Sequence, residues 1–458
     1  MANGNFTARL GSSSNPGLLP LAERLATINK GENPFQAKSA LPENSPVFFG
    51  RENLLHRFRL ALCDDNPGHI SLVGDPRIGK SSLMNQLKAI LAAEEGLVSI
   101  CCNAQSLNEA SQKRFFSDLG ETIAEALDEE LEQAPEDFDQ LQLYIREQAK
   151  TYCFVLLLDE FEILANNPVF DATFFDNLRS LGDNPENRFG FFIISHEQLR
   201  QLCHTDAIGG SRFWNIFDAW MLGLLDAVPA RQLVERPLQQ AAIGLDTTSD
   251  QLLKRYGRHP FLLQRALHEY AFSARNGLAP DLRHLERNLY NVMQDLWMHC
   301  KEQEVARLFE VIAEKTIPRD KVTQDLEERG LLDNDKFFCQ NFSKALPEGL
   351  IPSETGIEEY IQEIKANPLK ALDRADRLRY LEKVEKAATH IGKIKKAYEI
   401  EKVTREGINT NLLSSSGIAL VTGSVAASLL DRQTGFYIGI SCGLLWFLQR
   451  KIFSRRSK

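Results

Sequence analysis

The sequence predicts an α/β fold in which a parallel sheet is covered by helices on both faces. Short apolar runs with strand character alternate with amphipathic helical patterns over residues 46–225. One of these runs leads directly into the segment GDPRIGKS at residues 74–81, and another ends in the acidic pair Asp159 and Glu160. Because the carboxyl ends of parallel strands meet at one edge of a sheet, we expect the two segments to lie close together.

The chain of 458 residues is longer than one hydrophobic core usually serves, so we expect several structural units. After residue 225 the apolar residues recur with helical spacing, and near Gly330 and Asn334 a helix gives way to a short hairpin. The predicted order is an irregular lead-in at 1–45, the α/β core at 46–225, a helical lid at 226–298, a winged helix at 299–347, a helical connector at 348–411, a transmembrane helical hairpin at 412–449 and a basic tail at 450–458.

The hairpin is predicted from two apolar runs near the end of the sequence. Residues 412–430 carry no charged side chain, and a helix of that length crosses a hydrocarbon core of ~30 Å at ~1.5 Å per residue. A second uncharged run follows at residues 435–449. Small residues recur at every fourth position in both runs, which favours close packing of two helices in lipid: Ala419, Gly423, Ala427, Gly435, Gly439 and Gly443.

Basic residues precede the first run and follow the second, so the positive-inside tendency puts both flanks on the cytosolic side. We therefore expect a membrane-associated protein whose α/β core lies on the cytoplasmic side. The alternative is a buried helical pair in a soluble domain. The charged connector before the hairpin is typical of a solvated helix, with a coiled-coil oligomerisation arm as the alternative.

Charge argues against nucleic acid as a partner. The formal net charge is -9, whereas binding to DNA or RNA depends on cations that neutralise phosphates. The predicted winged helix is also balanced, with six Lys or Arg and six Asp or Glu between residues 315 and 344. A wing that reads DNA should be distinctly basic.

The segment at residues 74–81 matches the phosphate-binding pattern GxxxxGK[ST] and stands between an apolar strand and a helix. Glycines let the backbone curl so that successive N–H groups face phosphates, and the following helix adds its positive end. Lys80 is expected to contact the β- and γ-phosphates, and the Ser81 hydroxyl to coordinate Mg²⁺. ATP is the expected ligand, held by Gly74, Asp75, Pro76, Arg77, Ile78, Gly79, Lys80, Ser81 and Ser82.

Two further strand ends supply candidate catalytic groups. Asp159, at the end of the strand in FVLLLDEFEIL, is expected to hold Mg²⁺, and Glu160 to polarise the attacking water. Ser195 ends the apolar strand in FGFFIISHE, where a polar group can sense the γ-phosphate or orient water. A simple strand-end hydroxyl is the alternative for Ser195, and a solvated or capping acid is the interpretation of Glu162.

The order of motifs resembles the signal-transduction ATPases with numerous domains, the STAND-type NTPases, which are close to AAA+ and origin-recognition ATPases. The similarity extends over about residues 33–346 and includes NPF, FFGRENLLHRF, GDPRIGKSSL, LLLDEFEIL, IISHEQL, SRFWNIF and GRHPFLLQ. It implies that Arg51 lies near the nucleotide base and that His259 and Pro260 bring the lid to the nucleotide. Within this resemblance, Arg212 corresponds to the arginine that one AAA+ subunit supplies in trans to the site of its neighbour. Many relatives have an arginine where this chain has His196.

The resemblance implies an ATP-dependent switch, in which a closed ADP-like monomer opens and assembles when it receives a signal. The expected partners are nucleotide, the membrane, further copies of the chain and an unidentified protein that carries the signal. Two alternatives remain open. One is an origin-recognition-like ATPase that handles DNA, and the other is a scaffold that binds ATP without turnover.

Overall fold

The computed structural model describes residues 5–35, 38–107, 110–203, 211–312 and 317–345. Two compact units divide between Leu285 and Glu286, inside a helix that the sequence assigns to the lid. The predicted connector, hairpin and basic tail at 348–458 lie outside the described residues. Among the residues that are described, no helix has the length and apolar character needed to cross a membrane.

A six-stranded sheet forms the centre of the first unit, in the order β1-β3-β4-β5-β2-β6. The strands are β1 Phe6–Leu10, β2 His69–Val73, β3 Leu97–Asn103, β4 Cys153–Asp159, β5 Phe189–Ser195 and β6 Asp218–Met221. The five strands β2 to β6 pair in parallel, which confirms the α/β prediction, while β1 pairs antiparallel with β3. The sheet is therefore mixed, with one antiparallel edge strand.

Strands β4 and β5 are almost continuously apolar because both of their faces are covered. Strand β5 lies between β2 and β4 and pairs with both. The register aligns Val73 with Ser195, and Asn103 with Asp159. The carboxyl ends of these strands consequently meet at one edge of the sheet, as expected from the sequence.

Helices cover the sheet, and their bounds are α2 Glu52–Leu62, α3 Lys80–Leu91, α4 Gln112–Leu127, α5 Phe138–Gln148, α6 Phe161–Ala165, α7 Ala172–Asp183 and α8 Leu199–Leu202. Phenylalanine rings fill the core on one face. The Phe115 and Phe174 rings meet edge to face at 4.9 Å, and Phe161 stacks on Phe213 at 5.9 Å. Such aromatic packing stabilises this face of the sheet.

The lead-in at 1–45, which we expected to be irregular, is a structural part of this unit. It supplies β1 and the helix α1, Leu21–Ala26. The Arg24 guanidinium, 1% exposed, donates to the carbonyls of Leu19, Ser45 and Phe48. The expectation was wrong because the ordering of this segment comes from partners distant in sequence: β1 takes its hydrogen bonds from β3.

The remaining helices of the first unit are α9 Ala227–Ala241, α10 Ser249–Tyr256 and α11 Pro260–Arg275, and α12 Leu282–Met298 spans the division between units. Helix α10 begins with a capping box in which Thr248 and Gln251 satisfy each other's backbone N–H groups. Pro260 occupies the first turn of α11, where its missing N–H has no cost.

The second unit contains α13 Glu302–Ile312, α14 Lys321–Arg329 and a hairpin of β7 Leu332–Asp333 and β8 Lys336–Phe337. Asn334 and Asp335, at φ 51° and 62°, form the turn of the hairpin. The Trp297 ring stacks on Phe342 at 4.9 Å and its Nε1 donates to the Phe342 carbonyl at 3.0 Å. The elements occur in the order that the sequence indicated, and their assignment as a winged helix stays a prediction.

Candidate nucleotide-binding site

The loop between β2 and α3 has a backbone shape that depends on its glycines. Gly79 has φ +105°, a conformation that side chains other than glycine rarely adopt. A Cβ on Gly74 would lie 2.8 Å from the Leu222 carbonyl oxygen and 3.0 Å from Ile78 Cγ2. The loop therefore curls tightly against the segment after β6 before it enters α3, as phosphate binding by successive N–H groups requires.

Lys80 begins α3 and is 7% exposed. Its Nζ donates to the carbonyls of Gly74 at 2.6 Å and Asp75 at 3.1 Å, and lies 3.1 Å from His196 Nδ1. Burial lowers the pKa of Lys80 to about 8, and the surrounding carboxylates, Glu162 first, act in the opposite direction. A buried ammonium that is held by carbonyls and an imidazole is well placed to exchange them for phosphate oxygens.

Three carboxylates follow β4 and face Lys80 across a cavity of about 360 Å³. Asp159 is 7% exposed, and its Oδ1 accepts from the Glu160 backbone N–H at 3.0 Å. Glu160 adopts a left-handed conformation at φ 58°, and its buried Oε2 has no hydrogen-bond partner within the described residues. Glu162 also lines the cavity, where burial raises the pKa of its carboxyl. These three carboxylates, which include the unpartnered Glu160 oxygen, are suited to binding a cation and a water molecule.

His196, the residue after β5, lines the cavity, whereas Ser195 at the end of β5 does not. The buried Ser195 hydroxyl donates to the Glu197 carbonyl at 2.6 Å and does not line the cavity, whereas Ile194 and His196 do. Side chains alternate along a strand, so Ser195 takes the opposite face from its two neighbours. His196 also has Nε2 3.3 Å from Glu162 Oε1, which links Lys80 to this carboxylate through the imidazole.

The cavity continues into a second, more apolar pocket, and the two share Ser39, Arg77, Gly79, Ser82 and Phe261. We call the cavity around Lys80 the phosphate end and the second pocket the apolar end. The apolar end is lined by Leu41, Val47, Phe48, Phe49, Arg51, Ile78, Leu225, Leu233, Pro260 and Gln264 in addition to the shared residues. Together they form one cleft with a charged half and an apolar half, as a nucleotide requires.

Arg51 lines the apolar end, where it holds the loop after β6. Its guanidinium donates to the carbonyls of Gly223 and Leu224. Burial lowers the pKa of Arg51 to about 10, and Asp226 acts against that shift. The same loop is fixed from its other side by Arg258, whose Nη1 donates to the Leu225 carbonyl at 2.9 Å. Arg51 thus shapes the wall of the pocket.

The segment GRHPF brings the lid to the loop, although His259 itself does not line the cleft. His259 is 2% exposed, and burial, followed by the Arg51 cation, lowers its pKa to about 3. Pro260 and Phe261 line the apolar end, and the Arg77 guanidinium lies 5.2 Å from the Phe261 ring centroid. Pro260 and Phe261 therefore lie at the loop, whereas the buried His259 precedes them in the chain and does not line the cleft.

The lead-in also reaches the cleft, which no motif indicated. Ser39 lines both ends, and Leu41 donates its backbone N–H to Ser82 Oγ at 3.0 Å. Gln86 on α3 accepts from the Asn44 N–H at 2.8 Å and donates to the Pro42 carbonyl at 2.7 Å. Residues 39–44 consequently form a wall that is hydrogen-bonded to the loop's own helix.

Arg212 does not line the cleft. It is exposed in a separate groove, together with Asp176, Arg179 and Asp183. Its predicted role toward a neighbouring copy stays a prediction. The sequence reasoning also missed Phe261 and Gln264. Both follow Pro260 with spacings that place them on one face of α11, so the motif GRHPFLLQ contained the signal.

A curled glycine loop, a buried lysine at the start of a helix and an acidic pair at the end of another strand of the same sheet define a P-loop NTPase. The family comparisons agree with that class. The model described as Novel STAND NTPase 2 matches residues 137–315, and the model described as AAA domain matches residues 63–203. These two matches support a P-loop NTPase of the STAND and AAA+ type.

Solved structures that match part of the chain include a Walker-type ATPase of Pyrococcus abyssi, at 17% identity and a TM-score of 0.43, covering 65% of this chain and 93% of that one. The Aeropyrum pernix ORC2 protein in its ADP form matches at 16% identity and a TM-score of 0.42, with 65% and 83% covered. Domain III of the Thermotoga maritima replication initiation protein DnaA matches at 16% and 0.34, with 53% and 92% covered. No curated protein sequence matches the chain.

Proposed function

We propose that this protein binds ATP with Mg²⁺ and hydrolyses it. The observation that carries the proposal is the position of Lys80 Nζ, which is buried against the loop carbonyls and faces the carboxylates of Asp159, Glu160 and Glu162 in one cavity. A cation for the phosphates and carboxylates for a metal ion and a water are the groups that phosphoryl transfer needs. The apolar end of the cleft then accommodates the base.

The residues of the phosphate end fit a magnesium ion. Ser81 and Asp159 both line the cavity, and they supply the hydroxyl and carboxylate oxygens that Mg²⁺ prefers alongside phosphates and water. A bound Mg²⁺ would neutralise charge that develops on the phosphate oxygens. The Glu160 carboxylate lies beside Asp159, and its unpartnered Oε2 is available to accept a proton from water.

Phosphate release by the Glu160→Gln variant tests the proposal. The amide keeps the size of the side chain and removes the base, so turnover should fall by about 10²- to 10⁴-fold while ATP binding persists. The control is Glu197→Gln, which changes an exposed carboxylate after β5 and should leave turnover unchanged. If the native chain binds ATP without measurable phosphate release and Glu160→Gln behaves identically, the protein is an ATP-binding scaffold instead.

We further propose that the nucleotide state acts as a switch coupled to assembly or signalling at a membrane. This rests on the resemblance to STAND-type NTPases and on the uncharged runs at 412–430 and 435–449. The oligomeric state of the full chain in detergent should change among ATP, ADP and no nucleotide. Carbonate-washed membranes should retain the full chain and release a chain that stops at Gly407. A full chain that stays soluble would refute the hairpin.

The pairing of arginines in the second unit speaks against the DNA-handling alternative. Arg319 contacts Glu327 at 3.0 Å and Asp335 at 3.2 Å, and Arg329 contacts Glu304 at 2.6 Å. Guanidinium groups that are already neutralised by carboxylates gain less from phosphates. Tight binding to duplex DNA at physiological salt, lost when Lys321 and Arg329 are both reversed in charge, would favour that alternative over the membrane switch.

A further inference from the structure

The side chain of Gln264 is a buried polar group in the apolar end. Gln264 is 5% exposed and lies on α11, one turn after Pro260. Its Nε2 donates to the Val47 carbonyl at 2.9 Å, and Val47 lines the same pocket. Its Oε1 is buried and has no hydrogen-bond partner among the described residues. A buried acceptor without a donor calls for an explanation, because such groups are rare in folded proteins.

The orientation of this amide is fixed by its neighbour. An amide can in principle be turned over, which exchanges its oxygen and nitrogen. Turning Gln264 over would bring Oε1 against the Val47 carbonyl oxygen, so that two acceptors would meet without a proton between them. The Val47 carbonyl is a backbone group, so it always presents an acceptor to the Gln264 amide. The unpartnered atom is therefore an acceptor and stays one.

We propose that Gln264 Oε1 accepts a hydrogen bond from the exocyclic 6-amino group of adenine and makes the cleft selective for adenine nucleotides. The inference rests on the proposed nucleotide function and adds the base and the residue that reads it. The 6-amino group is a donor, which complements the orphaned oxygen. The remaining walls, formed by residues such as Phe48, Phe49 and Leu225, give the purine ring apolar contacts that do not distinguish one purine from another.

Hypoxanthine and guanine carry a carbonyl oxygen at position 6 in place of the amino group. That oxygen would face Gln264 Oε1, leaving two buried acceptors opposed. A site that is built to hydrogen-bond one group discriminates strongly against an analogue that lacks it. Rotation of the Gln264 amide does not remove this repulsion, because it would place Oε1 against the carbonyl oxygen of Val47.

Affinities of the full chain for ADP, IDP and GDP test the inference, measured by isothermal titration with one protein preparation. ADP and IDP have the same sugar and phosphates and differ in the group at position 6 and in the proton that hypoxanthine carries on N1, so their ratio tests recognition at that edge of the base. We expect IDP and GDP to bind at least about tenfold more weakly than ADP. Equal binding of ADP and IDP by the native chain overturns the inference while leaving the proposed nucleotide function intact. A chain that binds none of the three overturns both.

The Gln264→Met variant adds a second readout. Methionine has a similar length, no donor and only a weakly accepting sulfur, so the ratio of ADP affinity to IDP affinity should fall to near one, mainly through weaker ADP binding. Gln240→Met, an exposed substitution on α9, is the matched control and should keep the native ratio. A folded Gln264→Met protein that keeps the native ratio overturns the inference. If that variant does not fold, the ratio measured on the native chain still decides.

Discussion

The phosphate end of the cleft comes from a few short segments, chiefly residues 74–82 and 159–162, whereas the apolar end gathers residues that are spread from Ser39 to Gln264. These two segments extend from the carboxyl ends of β2 and β4, which are separated in the sheet by β5. The apolar end combines a wall from the lead-in, the start of α2, the loop after β6 and the helices α9 and α11. The phosphate end is thus built mostly from segments that are contiguous in sequence, and the apolar end from residues that the tertiary fold brings together.

The two ends also differ in how they would hold a ligand. The phosphate end concentrates charge: Lys80 faces Asp159, Glu160 and Glu162, and its pKa is lowered by burial. The apolar end offers contact area and a small number of hydrogen-bonding groups. Charge-assisted hydrogen bonds are about twice as strong as neutral ones, so affinity should depend mostly on the phosphate end and selectivity on the apolar end.

Replacement of Lys80 by methionine tests this division most directly. Methionine keeps the buried chain and removes the ammonium, and loss of one partner from a buried charged contact costs about 2–5 kcal/mol. We expect ADP affinity to fall about 100-fold, as measured by titration. Lys88→Met, at the other end of α3, is the control. A loss below about threefold would mean that the apolar end supplies most of the affinity.

Gly74→Ala tests whether the loop shape is imposed by its surroundings. The added Cβ would meet the Leu222 carbonyl oxygen at 2.8 Å, and a backbone atom cannot move aside as a flexible side chain can. We expect the free energy of unfolding to fall by about 1–3 kcal/mol in chemical denaturation. Gly244→Ala, where an added Cβ meets nothing within 4 Å, should change it by less than about 0.5 kcal/mol. Equal effects in the two variants would contradict the tight fit.

The pH dependence of ADP binding follows from the pKa of Lys80, which is lowered from 10.5 to about 8. Bound phosphates favour the charged ammonium, so affinity should be constant below pH 8 and fall by about tenfold per pH unit above it. Without ligand, the effect of pH on the stability of the native state has the opposite sign. Between pH 8 and 10.5 the unfolded chain binds the extra proton, so this group adds stability to the native state as the pH rises.

Titrations with ADP at pH 7, 8 and 9 measure this dependence. Lys80→Arg is the control, because a guanidinium stays charged across the range and should bind with little change between pH 7 and 9. The same decline in the native chain and in Lys80→Arg would mean that another group titrates.

The difference between the ends also explains what the sequence could predict. Residues 74–82, Asp159 and Glu160 belong to patterns that are contiguous in sequence. Of these residues, the cavity is lined by Pro76, Arg77, Gly79, Lys80, Ser81, Ser82, Asp159 and Glu160. Whether Ser195 reaches the cleft depended on which face of β5 meets it, and the structure gives that face to Ile194 and His196. Ser39 reaches the cleft through tertiary contacts that no local pattern encodes, whereas Gln264 belongs to the motif GRHPFLLQ.

The contact between Arg77 and Phe261, one residue from each side of the cleft, should have the smallest effect. The Arg77 guanidinium is exposed and lies 5.2 Å from the Phe261 ring centroid, and cation–π contacts of this kind are worth about 0.5–1 kcal/mol. Phe261→Leu keeps an apolar side chain and should weaken ADP binding only about two- to fivefold in titration. A loss above about 30-fold, comparable with Lys80→Met, would show that the lid fixes the loop. The phosphate end would then depend on the apolar end for its shape, and the division of affinity from selectivity would fail.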